Sequence, residues 1–137
     1  PAPGRRPPGG GGPPLAVRWA RRLGGMRIAM PVTEDDHVAH GWGRAGRLAL
    51  VDAAQGEITG WTQVHVGWDQ LHDAGTEGSH HARIVRFCRD EGITDVIVSH
   101  MGAGMVHTLT KLGIRLHRTT LVDGRESVEA LLASQQG

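Results

Sequence analysis

"GITDVIVSHMGAG", residues 92–104, is the stretch whose reading decides the fold. Within it "TDVIVS" (94–99) is a continuous β-branched run, the pattern of a strand covered on both faces rather than on one. Gly92 is a stop for whatever helix precedes it. "HMGAG" then turns the chain into a helix over about 104–112, with Met105, Val106, Leu109 and Leu112 facing inward. A doubly covered strand followed by a glycine turn and a helix belongs to an α/β fold.

Outward from this centre the elements follow in both directions. Downstream, Gly113 stops the helix and "IRLHRT" reads as a last strand. "VDG" turns, and "ESVEALLAS" closes the chain as an amphipathic helix. Upstream, Ser79 is placed to cap a helix running to about Glu91, with Ile84, Val85, Phe87 and Cys88 as its apolar stripe. "GWDQLHDAGTEG" (67–78) reads as a loop. "RLALVD" (47–52) and "ITGWTQVHV" (58–66) alternate in character and flank the short "AAQGE" turn, which predicts a hairpin. "MRIAMPV" (26–32) is a buried strand, and "TEDDHVAHGWGRAG" (33–46) a polar, glycine-rich loop. The order β, β-hairpin, α, β, α, β, α predicts a three-layer α/β/α domain around a mixed five-stranded sheet, close to the ribonuclease-H-like arrangement.

The chain has 137 residues, enough for one domain with its own core. Its formal charge of +1 hides a division: residues 1–25 hold five arginines and no acid, whereas the rest carries ten basic against fourteen acidic side chains, a net of −4. The body thus lacks the clustered cations of a nucleic-acid footprint. Pro/Gly-rich residues 1–25 predict a disordered leader or an upstream start-site extension ahead of a single domain over 26–137. A twin-arginine export signal fails, because the apolar run after Arg21-Arg22 is short and leads straight into "TEDD". No stretch approaches the roughly 18 apolar residues of a membrane span. Cys88 is the only cysteine, which excludes an internal disulfide and a four-thiolate metal site, and a reducing cytoplasmic compartment fits.

All nine histidines fall between His37 and His117. In open α/β sheets ligands bind beyond the carboxyl ends of the parallel strands. Loops 33–46, 67–80 and 99–104 should meet there and bring His37, His40, His72, His80, His81 and His100 to one pole. Imidazole suits transition metals, and Met101 adds a soft donor beside His100. The tandem pair His80-His81 sits in the first helical turn, where the N-terminal dipole keeps imidazole neutral. Adjacent helical residues lie about 100° apart, so one ion is not gripped by both. His81 is expected to point toward the sheet with His40 and His100 as co-ligands, and His80 to lie at the rim. The turns "GWGRAG" (41–46) and "MGAG" (101–104) offer amides to an anion, with Arg44 adding charge. Cys88 is expected to pack in the core. Asp35, Asp36 and Asp52 make a poor nuclease site, since two are adjacent loop residues. No Ser/His/Asp or Cys/His arrangement indicates catalysis.

Three segments carry a family resemblance: "MRIAMPVTEDDHVAHGWGRAGRLALVD", "GITDVIVSHMGAGMVHTLTKLGIRLHR" and "ESVEALL". They are similar to the dinitrogenase iron–molybdenum cofactor-binding family of the NifX, NifY and NifB C-terminal domain type. Its pattern has a "RIAVPV"-like strand, a "HFGRA" loop and a later glycine loop before a short closing helix. The resemblance covers 26–132, with 60–80 least alike. It implies a non-enzymatic domain that binds or carries an iron–sulfur or iron–molybdenum type cluster and passes it to an assembly or recipient protein. Carried across by position, it implies Gly43, Arg44 and Ala45 of the "GRA" turn, with Gly102 and Gly104, as the cofactor-binding region. Met101 joins that set, and His40, His81, His100, His80 and His72 form the metal-ligand set, from the loop reading above. The sequence departs where the family histidine aligns with Gly41, where Trp42 replaces phenylalanine, and where His100-Met101 stand in place of small residues. A metal-free regulatory domain or a mononuclear metal protein are the alternatives.

Overall fold

The computed structural model describes residues 25–71 and 75–135. Apart from Gly25, the leader read at 1–25 lies outside the described residues, and so does His72. The elements run β1 Gly25–Pro31, β2 Arg47–Ala54, β3 Glu57–His65, α1 Trp68–Leu71, α2 Glu77–Asp90, β4 Asp95–Val98, α3 Ala103–Lys111, β5 Arg115–Arg118 and α4 Gly124–Ser134.

One five-stranded sheet has the order β3-β2-β1-β4-β5. β1, β2 and β3 form an antiparallel meander, while β1 with β4 and β4 with β5 are parallel. The mixed five-stranded sheet expected from the sequence is therefore present, and the order is consistent with a ribonuclease-H-like arrangement. β2 and β3 join through Gln55 (φ 54°) and Gly56 (φ 81°). Two successive left-handed residues make the tight hairpin turn whose twist suits antiparallel strands.

Strand alternation sends side chains to two apolar layers. Ala29, Leu48, Leu50, Val96 and Val98 pack with Ile84 and Cys88 of α2 and with Met105 and Leu109 of α3. Ile28, Met30, Ala49, Val51 and Ile97 pack with Val128, Leu131 and Leu132 of α4. β4 contributes to both layers and is buried at every position, which is why its sequence reads as a continuous run.

Two local expectations are corrected. α2 is capped by Thr76, not Ser79. The Thr76 side chain accepts from the Ser79 amide and the Ser79 hydroxyl accepts from the Thr76 amide, a reciprocal capping box that starts the helix earlier than expected. The expected loop 67–78 contains α1, one turn whose Trp68 is buried edge-on between Trp42 (5.2 Å) and Phe87 (5.6 Å). So short a helix carries no periodicity to read; the aromatic contacts hold it.

Candidate functional site at the strand ends

β1, β4 and β5 point the same way, so the segments following them share one pole. The loop after β1 is held at several points. Trp42 is buried in the core, and the Gly46 carbonyl accepts from the amides of Val66 and Gly67 at 3.0 and 3.1 Å. Gly41 adopts φ 82°, a left-handed conformation that favours glycine. A Cβ placed on Gly43 or Gly102 would meet no atom within 4 Å, so both turns face open space. Arg44 is exposed beside Gly43. Gly102 is the N-cap of α3 and provides no side-chain cap, so the first amides of that helix lack a side-chain acceptor at the cap.

The expected histidines are distributed unevenly over this pole. His40 and His100, from the loops after β1 and β4, are both exposed, with ring centroids 6.1 Å apart and planes 7° from parallel. His81 is half-buried against the first turn of α3, where its Cε1 lies 3.7 Å from the position a Gly104 Cβ would take. His80 is not at the rim. It is 4 % exposed, with Nε2 2.7 Å from the Gly43 carbonyl and Nδ1 2.9 Å from the Arg83 guanidinium.

The inversion of His80 and His81 has a helical cause. The buried line of α2 runs through Ile84 and Cys88, and His80 lies four residues before Ile84 on that line, whereas His81 lies on its flank. Met101 also differs from the expectation of a ligand. At 6 % exposure it joins Met105, four residues on, in the core beneath α3. Among the described residues no group of three or more His, Cys, Asp or Glu side chains is placed to hold one metal ion.

Several of the remaining ionisable residues have structural partners. His117 is bonded to Asp95 at 2.8 Å, and His37, His65 and His107 are exposed. Asp36 accepts from Trp61 Nε1 and Gln63 Nε2, and Asp52 accepts from Arg27. Each carboxylate is engaged by its own donors. Burial pushes the Cys88 thiol up to about 12 and keeps it a protonated packing group.

The missed feature of this pole is the bond from His80 to Gly43. A backbone carbonyl on a sequence-distant loop gives no sequence signal, and only the i, i+4 phase with Ile84 and Cys88 could have suggested burial.

Fold and pole together define a small open-sheet α/β domain whose parallel strands end in glycine turns flanked by histidine. The family model described as "Dinitrogenase iron-molybdenum cofactor" matches residues 25–136, and the chain belongs to that family. Its fold is similar to the apo form of the orange protein from Desulfovibrio gigas, at 22% identity and a TM-score of 0.65 over 80% of this chain and 89% of that one. A candidate NifB protein from Thermotoga is similar at 21% identity and a TM-score of 0.58, covering 80% and 90%. A candidate dinitrogenase from Methanocaldococcus jannaschii is similar at 13% identity and 0.59, with the same coverage. At these identities the likeness is one of fold. No curated protein sequence matches the chain. Among the described residues, no helix is long and apolar enough to cross a membrane.

Proposed function

We propose that the chain is a non-catalytic carrier whose cargo is an iron–sulfur or iron–molybdenum type cluster, seated at the strand-end pole. His40, His81 and His100 supply nitrogen ligands. The amides following Gly102, the Gly43 turn and Arg44 offset the negative charge of the cargo. Delivery to an assembly or recipient protein in a reducing compartment completes the role.

The observation that carries this reading is the His40–His100 pair. Two imidazoles sharing one metal atom through bonds of about 2 Å hold their ring centres about 5–6 Å apart. The 6.1 Å separation of these two rings is of that size, and because they are stacked with planes 7° from parallel, one ring has to turn about its side-chain torsions for both lone pairs to meet on one atom. No third side chain completes a mononuclear set among the described residues. An extended cargo that reaches from this pair toward His81 suits the arrangement better than a lone ion. Family membership supports the class of cargo.

Anaerobic reconstitution with iron, sulfide and molybdate, followed by elemental analysis, tests the proposal. The parent is expected to retain iron or molybdenum in stoichiometric amount, and His40→Ala/His100→Ala to retain less than about a tenth of it, since two of the metal bonds are lost. Equal retention by parent and variant removes histidine ligation. A parent that emerges metal-free removes the carrier reading.

A further inference from the structure

We infer that His80 is a positioning residue, a strut that fixes the Gly43–Arg44 turn over α2; the functional part of this inference rests on the carrier reading above. Its bonding follows from its two neighbours. A carbonyl oxygen only accepts, so at 2.7 Å the Nε2 of His80 carries a hydrogen and donates to Gly43. A guanidinium has donors and no acceptor, so at 2.9 Å Arg83 donates to a bare Nδ1. One tautomer, with the hydrogen on Nε2 and Nδ1 bare, satisfies both contacts. Both ring nitrogens are thus turned to protein groups, and the residue expected to ligate metal instead shapes the place where metal would sit.

The turn needs such a strut. Trp42 anchors one end in the core, and at the other end Ala45 is buried beside it and the Gly46 carbonyl accepts from Val66 and Gly67. Between them, Gly43 has no side chain to pack, and a Cβ built there would touch nothing. A hydrogen bond from a buried ring therefore does what packing cannot. It sets the height of the turn and hence the place where Arg44 meets an anion. Binding groups held in place before the ligand arrives lose less entropy when it binds.

Amide hydrogen exchange on the cargo-free protein reads the strut without any metal. The Ala45 amide donates across the turn to the Trp42 carbonyl at 3.1 Å and is the natural reporter. His80→Ala is expected to speed its exchange about five- to tenfold, with β1 and α4 unchanged. His80→Gln keeps a donor of similar reach and is expected to restore most of the protection. Loaded with cluster, His80→Ala should release it faster by a similar factor, at unchanged saturating metal content and unchanged visible absorption bands.

Parent-like exchange at Ala45 in His80→Ala overturns the inference. So does a shifted absorption band or lost metal stoichiometry, either of which makes His80 a ligand. If His80→Ala fails to fold, Arg83→Met is the substitute: it frees the tautomer, an intermediate acceleration is expected, and none overturns the inference. Should the parent bind no cluster, the carrier reading falls, while the exchange measurement still judges the strut.

Discussion

Asp95 has no exposed surface, and a carboxylate taken out of water persists only where donors replace the lost solvent. Burial by itself would raise its pKa. Hydrogen bonds from His117 at 2.8 Å and Thr94 at 2.6 Å, with the positive charges of Arg115 and His117, outweigh burial and hold it below the ordinary carboxylate value. A folded pKa lower than the unfolded one means that Asp95 stabilises the fold above the unfolded value near 3.9. That contribution disappears as the pH falls through the lower, folded value. Urea denaturation of the parent should accordingly show a midpoint that drops below about pH 4. Asp95→Asn should lose about 1–3 kcal/mol at pH 7, because buried Thr94 and half-buried His117 lose a charged acceptor, and should show a flatter acid limb. A parent and variant with identical acid limbs would remove Asp95 as the source. Cys88 illustrates the opposite case, a buried group kept neutral. Ellman's reagent should leave the native thiol unmodified for hours and react with it at once in denaturant; rapid native reaction would contradict its burial.

At the scale of elements, termini decide more than interiors. The reciprocal Thr76–Ser79 cap starts α2, so Thr76→Ala should lower stability by about 1 kcal/mol and Ser79→Ala by less, measured by thermal melting. A second hydroxyl residue, Thr76, stands three residues before the expected cap Ser79. Periodicity could not choose between them, because both precede the first buried residue of the helix. Gly124, the first residue of α4, donates its amide to the Asp36 carbonyl at 2.8 Å, and a Cβ at this position would collide with that carbonyl. Gly124→Ala should therefore separate the loop after β1 from α4 and lower stability by about 1–3 kcal/mol. An unchanged melting temperature would show that the backbone there can give way. The requirement for glycine at 124 was invisible beforehand. It arises from an approach between segments far apart in the chain, whereas the left-handed Gly56 in the hairpin turn follows from local pattern alone.

For the whole molecule, the sequence carried the architecture and blurred the pole. Continuous burial of β4, alternation in β2 and β3, and glycine stops at 92 and 113 were enough to place the sheet and its helices. These signals are repeated along the chain and tolerate an error of a residue or two. The pole is set by single contacts between loops, and there the phase of His80 against His81 and the inward turn of Met101 depended on packing that no local pattern records.

The position of β1 has a further consequence. It is the first described strand in the chain, yet it lies third across the sheet, with β2 on one side and β4 on the other. Its first neighbour arrives soon in sequence and its second only after α2. While a chain is being made, the β1–β2–β3 meander can close and leave the other edge of β1, with Ile28 and Ala29, unpaired until Asp95 and Val96 emerge. An open apolar edge is a template for another chain. Pulse-labelled refolding should show amides of β2 and β3 protected ahead of those in β4 and β5, and simultaneous protection would contradict this order. The interval before β4 arrives is the period in which a nascent copy is most exposed to pairing with its neighbour on a polysome. Slower synthesis across residues 66–94 lengthens that interval, and a lower native yield from slowed translation there is the outcome to expect.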